Sequence, residues 1–326
     1  MTTFARKTFD VAGYLACRPT YPAKVYEVIQ AYHASTGRFD RALDLGCGPG
    51  FIALNLASRF KHVLALDPSE KMIRSGLQPE PGANVVKIDY KVGNAEEITK
   101  YTGQGEEGLD LVVAGQAAHW FDYPKVWREL TEAVRPGGTV AFIGYAEMVF
   151  PRYPQLNTLI SQLSRNDDQL GPYWQPGRRI VEGLLDAVPF PTKPAPPPSV
   201  TLAGHQFVTA RVAEPALQHV AGPIDAETWR PESAIRLKEI DGAPWLMTKR
   251  FDISALEGYL RTWSSLHAFH ELHPEDAARK GRGGEDGDIV DRAMGRIRRG
   301  LADAGHQDKQ IEVGWPLILM MIQKRL

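Results

Sequence analysis

The sequence predicts an α/β protein built on a doubly wound, mostly parallel sheet. Strand and helix patterns alternate regularly over residues 38–145, and the glycine cluster GCGPG at 46–50 follows the first strand. Regular alternation of this kind implies right-handed crossovers between parallel strands. The chain of 326 residues, 43% of them hydrophobic, is long enough to bury a substantial core.

Short apolar runs predict five strands in this region, with helices between them. Helices are predicted over Phe51–Phe60, around Met72 and over Tyr123–Val134, and the proline–glycine sequence at 135–138 ends the last of them. The predicted strands are Arg41–Leu45, Val63–Leu66, Val85–Asp89, Leu109–Ala114 and Thr139–Tyr145.

The alternating pattern changes beyond residue 150. The proline-rich stretch 188–198 predicts an extended surface connector, and the charged, glycine-rich residues 279–288 predict a mobile loop. Ile235–Ile240 and the apolar run Val313–Ile322 predict two further strands. Helices are predicted over Leu156–Leu163, Arg179–Leu185, Ile253–Leu266 and Ile289–Leu301.

Composition argues against several classes of partner. The net charge of -1 does not provide the positive field that non-specific nucleic-acid binding needs. The only cysteines, Cys17 and Cys47, are too few for a disulfide framework and lack metal-ligand spacing. No apolar run has the length of a membrane span, and residues 1–10 contain no apolar signal core. We therefore expect a cytoplasmic monomer or homodimer with no metal, nucleic-acid or membrane partner.

The glycine cluster indicates a ligand site at the end of the first strand. Glycine lets a ligand lie against the backbone, and the following helix end favours an anion. The dinucleotide fingerprint needs glycine at position 51, which is Phe51, so that cofactor class is disfavoured. Asp67 ends the second strand, where its carboxylate can accept hydrogen bonds from both hydroxyls of a ribose. The Asn94 amide can read an adenine edge.

This block, with Asp67, Asn94-Ala95 and the turn at 135–138, resembles the motifs of class I S-adenosylmethionine-dependent methyltransferases. The resemblance implies a Rossmann-like, seven-stranded, mostly parallel sheet with an antiparallel last strand and a helical cap or lid. It also implies S-adenosylmethionine as cofactor, with S-adenosylhomocysteine as product. Asn94 stands where the family often has Asp. The alternative is that Asp44 and Asp67 are only caps and the glycines only turns.

A narrower resemblance extends over most of the chain. Residues 14–22, 116–122, 259–265 and 315–316 look like the trans-aconitate methyltransferase-like branch. That branch implies an N-terminal segment over the cofactor and later helices forming a substrate lid. The implied organisation is an N-terminal helical segment, a cofactor-binding core, a helical and proline-rich insertion, and completion of the sheet with lid elements, over 1–36, 37–150, 151–234 and 235–326.

Together these patterns predict the site residues. His119 is a candidate general base or a cofactor contact, and Arg18 a candidate for orienting a substrate carboxylate. Either Arg18 or Arg261 can instead form a structural ion pair, and each aromatic can belong to the core. The predicted substrate contacts are Tyr21, Trp120, Arg261 and Trp263. The predicted cofactor contacts are Tyr14, Arg18, Asp44, Gly46, Cys47, Gly48, Gly50, Asp67, Pro68, Met72, Asn94, Ala95, Gln116, Ala117, His119 and Trp120.

These residues favour O-methylation of a small, trans-aconitate-like carboxylic acid. A carboxylate is already ionised at neutral pH and needs no base to attack a methyl group. The same fold also fits an acceptor nitrogen, sulfur, carbon or phenol in specialised metabolism. Two further alternatives remain: a cofactor-binding regulatory or non-methylating protein, and a transfer-RNA methyltransferase, which the near-neutral charge disfavours.

Overall fold

The computed structural model describes residues 13, 17–35, 38–82, 85–189, 199–209, 227–239 and 245–326. The chain divides into two compact units. The sheet unit comprises Thr20–Ala146, Arg179–Leu246 and Pro316–Leu326; the helical unit comprises Met1–Pro19, Glu147–Arg178 and Met247–Trp315. These boundaries differ from the predicted segments, because the insertion predicted over 151–234 is shared between the two units. The proline-rich part of that insertion, residues 190–198, lies outside the described residues.

The sheet unit contains a nine-stranded sheet among the described residues, in the order β3-β2-β1-β4-β5-β11-β8-β7-β6. β1 to β5 are parallel to one another, and β11 runs antiparallel to both β5 and β8. The first seven strands in this order form the predicted sheet with its antiparallel last strand. The strands are β1 Arg41–Leu45, β2 His62–Asp67, β3 Ile88–Val92, β4 Leu109–Gly115, β5 Val134–Tyr145, β6 Ser199–Leu202, β7 His205–Thr209, β8 Ile235–Lys238 and β11 Leu317–Gln323.

Two of these strands, β6 and β7, were not predicted. They pair with each other as an antiparallel hairpin, and β7 adds that hairpin to the edge of the sheet at β8. The third predicted strand, Val85–Asp89, was placed three residues too early. Val86 instead donates its amide to the Ala57 carbonyl, and pairing with β2 begins at Ile88.

The helices of the sheet unit lie between its parallel strands or precede them. The chain order makes the strand sequence reverse between β1 and β4, and ligands of such sheets bind at the carboxyl ends of the strands at this switch point. Buried apolar side chains such as Leu43, Val112 and Phe142 form the core beneath it. The helices are α1 Ala23–His33, α2 Phe51–Leu56, α3 Glu70–Arg74 and α4 Tyr123–Ala133, with the short helix α6 Arg178–Glu182 where the chain returns to this unit.

The helical unit pairs two short strands, β9 Thr248–Asp252 and β10 Gln310–Gly314, with several helices. The predicted single helix Ile253–Leu266 is wrong: Trp263 has an extended backbone (φ -69°, ψ 133°), and the Thr262 hydroxyl bonds the Tyr259 carbonyl at the break. The helices are α5 Asn157–Arg165, α7 Ile253–Arg261, α8 Ser264–Leu272, α9 Pro274–Ala277 and α10 Ile289–Asp303.

The predicted last strand Val313–Ile322 is also divided. β10 ends at Gly314, the Trp315 amide bonds the Met247 carbonyl, and Pro316 has no amide hydrogen to continue a ladder. β11 begins at Leu317 in the sheet unit. Among the described residues, no helix is long and apolar enough to cross a bilayer.

Candidate cofactor site

The glycine cluster, hereafter the glycine loop (residues 46–50), is fixed to the second strand. The amides of Gly46 and Cys47 both donate to the Leu66 carbonyl, at 2.8 and 2.9 Å. Gly48 has φ +52°, and a Cβ added there would meet no atom within 4 Å in the part of the chain that the structure describes. The loop is therefore anchored on one side and leaves open space beside its backbone, where a ligand can lie.

Gly50 closes the loop and precedes α2. Its φ is +94°, and an added Cβ would overlap the hydroxyl of Tyr90, which itself donates to the Leu77 carbonyl at 2.6 Å. Glycine is needed here both for the left-handed backbone and for the close approach of that phenol. Tyr90 was not predicted as a support of the loop, because nothing near it in the chain signals the contact.

Asp67, the predicted ribose acid, points at the glycine loop. One carboxylate oxygen accepts the Gly48 amide at 2.9 Å, and the other accepts the Ser69 amide at 2.8 Å. Each oxygen keeps a further lone-pair direction, so two hydroxyl donors can still bind. Burial raises the pKa of Asp67, and the two amides partly offset that effect.

Asp44 lies beneath the loop and is only 1% exposed. One carboxylate oxygen accepts the Ala53 amide of α2 at 2.9 Å, and the other has no hydrogen-bond partner among the described residues. Burial, and after it the charge of Asp67, raises the pKa of Asp44 to about 7. A carboxylate of the chain thus occupies the helix end at which the sequence favours an anion.

The third strand end lies beside Asp67, as predicted. The Gly93 amide donates to the Asp67 carbonyl at 3.1 Å, and Asn94 follows it with an exposed side chain. Ala95 is buried at the start of a 3₁₀ turn. Of the remaining predicted contacts here, Pro68 is exposed after the second strand and Met72 is buried in α3.

Residues 116–120, hereafter the β4 turn, follow β4 and reach the glycine loop. Ala117 is buried, and its Cβ would lie 2.5 Å from a Cβ added at Gly46. The rings of His119 and Trp120 have centroids 4.8 Å apart, and both side chains are partly exposed. The carboxamide of Gln116 bonds the backbone of Tyr145, so the chain itself uses the group that was predicted to bind cofactor.

Tyr21 lies at the same edge of the sheet unit. A Cβ added at Gly115, the last residue of β4, would come within 3.0 Å of its hydroxyl. Its ring packs edge-on against Tyr145, with centroids 6.2 Å apart. The structure therefore places Tyr21 beside the end of β4, which is compatible with the predicted substrate contact.

Arg18 belongs to the helical unit. A guanidinium nitrogen donates to the Thr262 carbonyl at 3.2 Å, and the guanidinium carbon lies 5.5 Å from the centre of the Tyr259 ring. These contacts attach Arg18 to α7 and its end. Tyr14, the other predicted contact from this segment, lies outside the described residues.

The structure places Arg261 in an ion-pair cluster within the helical unit. Its guanidinium donates to Asp288 at 2.6 Å, to Asp291 at 2.7 Å and to Glu257 at 3.0 Å. These three carboxylates occupy the directions a substrate carboxylate would need, so the ion-pair alternative replaces the predicted substrate contact. Trp263 is 4% exposed and packs against Trp174, with ring centroids 5.4 Å apart. It therefore belongs to the core, which was the alternative to a substrate contact.

Comparison with known proteins agrees with this geometry. Residues 43–142, which contain the glycine loop, Asp67 and the β4 turn, match a family model described as a methyltransferase domain. Residues 43–142 therefore form a methyltransferase domain. The fold of the chain is similar to that of a solved candidate type II methyltransferase from Anaeromyxobacter dehalogenans, with TM-score 0.57, 24% identity, and coverage of 93% of this chain and 97% of that one.

Two curated relatives share the domain. The chain is 26% identical over 184 residues to the "Probable S-adenosylmethionine-dependent methyltransferase CRG1" of Saccharomyces cerevisiae, covering 55% of this chain and 60% of that protein. It is 29% identical over 194 residues to the methyltransferase cfoB of Aspergillus candidus, covering 55% and 59%. The match thus spans about three fifths of the length of each relative.

The residues present fit the cofactor of this methyltransferase domain. S-Adenosylmethionine carries two positive groups, a sulfonium and an ammonium. The buried Asp44 oxygen that has no hydrogen-bond partner among the described residues offers a negative charge that such a cation can stabilise. The open space at Gly48 accommodates ligand atoms that any side chain would displace. Asp67 would hold the ribose hydroxyls, and the exposed Asn94 stands where an adenine would be read.

Proposed function

We propose that this protein transfers the methyl group of S-adenosylmethionine to a small organic molecule. The single observation that carries the proposal is the pair of acids at the glycine loop, the half-buried Asp67 directed at Gly48 and the buried Asp44, one oxygen of which has no partner among the described residues. Withdrawing two carboxylates from water costs free energy unless a bound cation and hydrogen-bond donors offset it. The near-neutral charge of the chain supports a small acceptor over a nucleic acid.

The residues of the chain orient the reaction. When bound, the cofactor supplies an electrophilic methyl group on a positively charged sulfur. Asp67 fixes the sugar, the glycine loop lies along one side, and Ala117 of the β4 turn lies against that loop. Such positioning of the donor is what an in-line displacement requires, since acceptor atom, methyl carbon and sulfur must be nearly collinear.

A carboxylate is the first acceptor group we propose. Methyl transfer to a trans-aconitate-like polycarboxylic acid would give a methyl ester. An ionised carboxylate attacks a methyl group without a base. Arg18 remains the candidate cation for orienting it, since the donors of Arg261 serve the ion-pair cluster. The resemblance to the trans-aconitate methyltransferase-like branch supports this choice of substrate.

A phenol, amine, thiol or carbon acceptor is the second candidate. The occupied guanidinium of Arg261 favours it, because one of the two cations proposed for a carboxylate is already neutralised. His119, on the β4 turn, then becomes the candidate base that removes the proton of the acceptor.

Two measurements on the wild-type chain test the proposal. Binding of S-adenosylmethionine and S-adenosylhomocysteine is measured by calorimetry, and isotope-labelled cofactor is then incubated with separate pools of polycarboxylates, phenols, amines, thiols and transfer RNA. We expect micromolar cofactor binding and a labelled product in a small-molecule pool. Cofactor binding without any labelled product would favour a regulatory protein, and labelling of RNA alone would contradict the small-molecule acceptor.

A further inference from the structure

The end of β4 has an unusual backbone at Gln116. The Gln116 amide continues the ladder with β5 by donating to the Ile143 carbonyl at 2.9 Å, but its φ is +50°. A left-handed backbone is costly for a non-glycine residue, so such a residue persists where its surroundings hold it. The chain leaves the sheet at this residue and enters the β4 turn.

Two hydrogen bonds of the Gln116 side chain, hereafter the clamp, fix this backbone. Its amide nitrogen donates to the Tyr145 carbonyl at 3.0 Å, and its carbonyl oxygen accepts the Tyr145 amide at 3.1 Å. Both backbone groups of one β5 residue are thus paired with one carboxamide. The side chain takes the place of the next backbone peptide of β4, at the point where the backbone turns away.

The segment held in this way forms one side of the cofactor site. Ala117 follows directly and lies so close to Gly46 that a Cβ on that glycine would be 2.5 Å from its own. The Ala118 carbonyl accepts the buried Tyr123 hydroxyl at 2.6 Å, which fixes the other end of the turn. A displacement of the turn at Gln116 therefore moves Ala117 against or away from the glycine loop.

We infer that Gln116 is a positioning residue, which sets the β4 turn against the glycine loop through its paired contacts with Tyr145. The inference rests on the proposed function, because the turn matters to catalysis only if the loop holds cofactor. Glutamine suits the position because the contact needs one donor and one acceptor at this reach. Glutamate has no donor when ionised, and methionine keeps the length but lacks both groups.

A matched control exists in the same unit. Gln78 makes the same paired contact with the backbone of Ile88, donating at 2.9 Å and accepting at 3.0 Å. Ile88 is the first residue of β3, at the strand end opposite to Val92, which pairs with Asp67. Replacing Gln78 thus removes an equivalent clamp away from the β4 turn.

The test compares Gln116→Met, Gln116→Glu and Gln78→Met. We expect Gln116→Met to weaken S-adenosylhomocysteine binding at least tenfold and to lower kcat further. Gln78→Met should have a much smaller effect on both, although Leu77 beside it bonds Pro49 of the glycine loop. Gln116→Glu should bind S-adenosylhomocysteine equally weakly at pH 8. Its affinity should recover relative to wild type near pH 5, where a protonated carboxyl again has a donor and an acceptor. Gln116→Met should show no such recovery.

Hydrogen exchange gives a readout that does not depend on methyl transfer. Loss of the clamp should speed exchange of the Tyr145 amide and of residues 117–120, in Gln116→Met but not in Gln78→Met. If wild type binds no cofactor, the proposed function fails and the exchange result still decides the role of Gln116. Where Gln116→Met does not fold, Gln116→Gly is compared, since glycine adopts the left-handed backbone without the clamp. Wild-type-like exchange and affinity in these variants would overturn the inference.

Discussion

The Asp67 carboxylate accepts the Gly48 amide at 2.9 Å and so joins the end of β2 to the glycine loop that follows β1. Both groups lie at carboxyl ends of neighbouring parallel strands. This one contact brings the predicted sugar-binding acid to the backbone that has open space for a ligand. Substitutions of Asp67 and of Gly48 test the two sides of this contact separately.

Asp67→Asn should weaken cofactor binding, and should also cost about 1–3 kcal/mol of stability because its NH2 group cannot accept one of the two backbone amides that Asp67 accepts. The variant keeps the shape but loses the charge that strengthens hydrogen bonds to two hydroxyls, so we expect the Kd for S-adenosylhomocysteine to rise by roughly 10- to 100-fold. Calorimetry measures it. Asp89→Asn is the control, because that exposed aspartate lies on β3 and forms an ion pair with Lys91 of the same strand. Unchanged affinity in Asp67→Asn would remove the sugar-binding role.

Gly48→Ala should separate ligand binding from folding. The new Cβ meets no atom of the described residues within 4 Å, so the free energy of unfolding should fall by only about 1–2 kcal/mol from the left-handed backbone. Cofactor affinity should nevertheless fall at least tenfold, since the methyl fills the ligand space. Gly105→Ala is matched, with φ +59° and equally open surroundings. We expect the same stability loss there and wild-type binding; equal binding by both variants would contradict the site.

Asp44 should make stability and binding depend on pH in opposite directions. Its pKa rises from 3.8 to about 7 on folding, so the folded state retains a proton that the unfolded state loses. Its contribution to stability is therefore present below about pH 4 and is lost as pH rises to 7. A bound cation favours the ionised form, so cofactor affinity should rise over the pH range approaching 7.

Asp44→Asn is the variant that checks this. Its unfolding free energy, measured in urea from pH 5 to 8 without ligand, should lack the decline that wild type shows. Its cofactor affinity should be lower above pH 7 and nearly independent of pH. A wild-type pH profile in this variant would assign the titration to another group.

Arg261→Met should destabilise the protein by about 3 kcal/mol or more, because it leaves the buried Asp288 and Asp291 without their cation. Urea unfolding measures this. Arg298→Met removes an exposed partner of Glu257 and should change stability by less than about 1 kcal/mol. A stable Arg261→Met with a raised KM for an acidic acceptor would restore the substrate role instead.

His119→Ala should distinguish the two acceptor classes. If an acceptor with a proton to lose is methylated, removing a base slows kcat by roughly 100-fold or more. Methylation of a carboxylate should change only a few fold, because that acceptor is already ionised. The two rates are compared on the same preparation with saturating cofactor. Equal losses on both acceptors would indicate a cofactor contact rather than a base.

Local sequence predicted the strand ends around the glycine loop well. The strand bounds at Arg41–Leu45, the glycine loop and the placement of Asp67 follow from short patterns, since turn geometry and strand ends are encoded by adjacent residues. The parallel arrangement of the strands, with helices between them, followed from strand–helix alternation and the preference for right-handed crossovers. The helix ends and the shifted third strand were less exact, because pairing with β2 rather than local hydrophobicity decides where β3 begins.

The sequence by itself therefore determined the sheet, the loop and the acid that faces it. Only the tertiary structure decided that Arg261 meets Asp288 and Asp291, 27 and 30 residues along the chain, and that Gln116 bonds Tyr145, 29 residues away. It also decided that the run Val313–Ile322 divides between two units at Pro316. The physical reason is that a polar side chain has many acceptable partners, and folding selects among those that are distant in sequence.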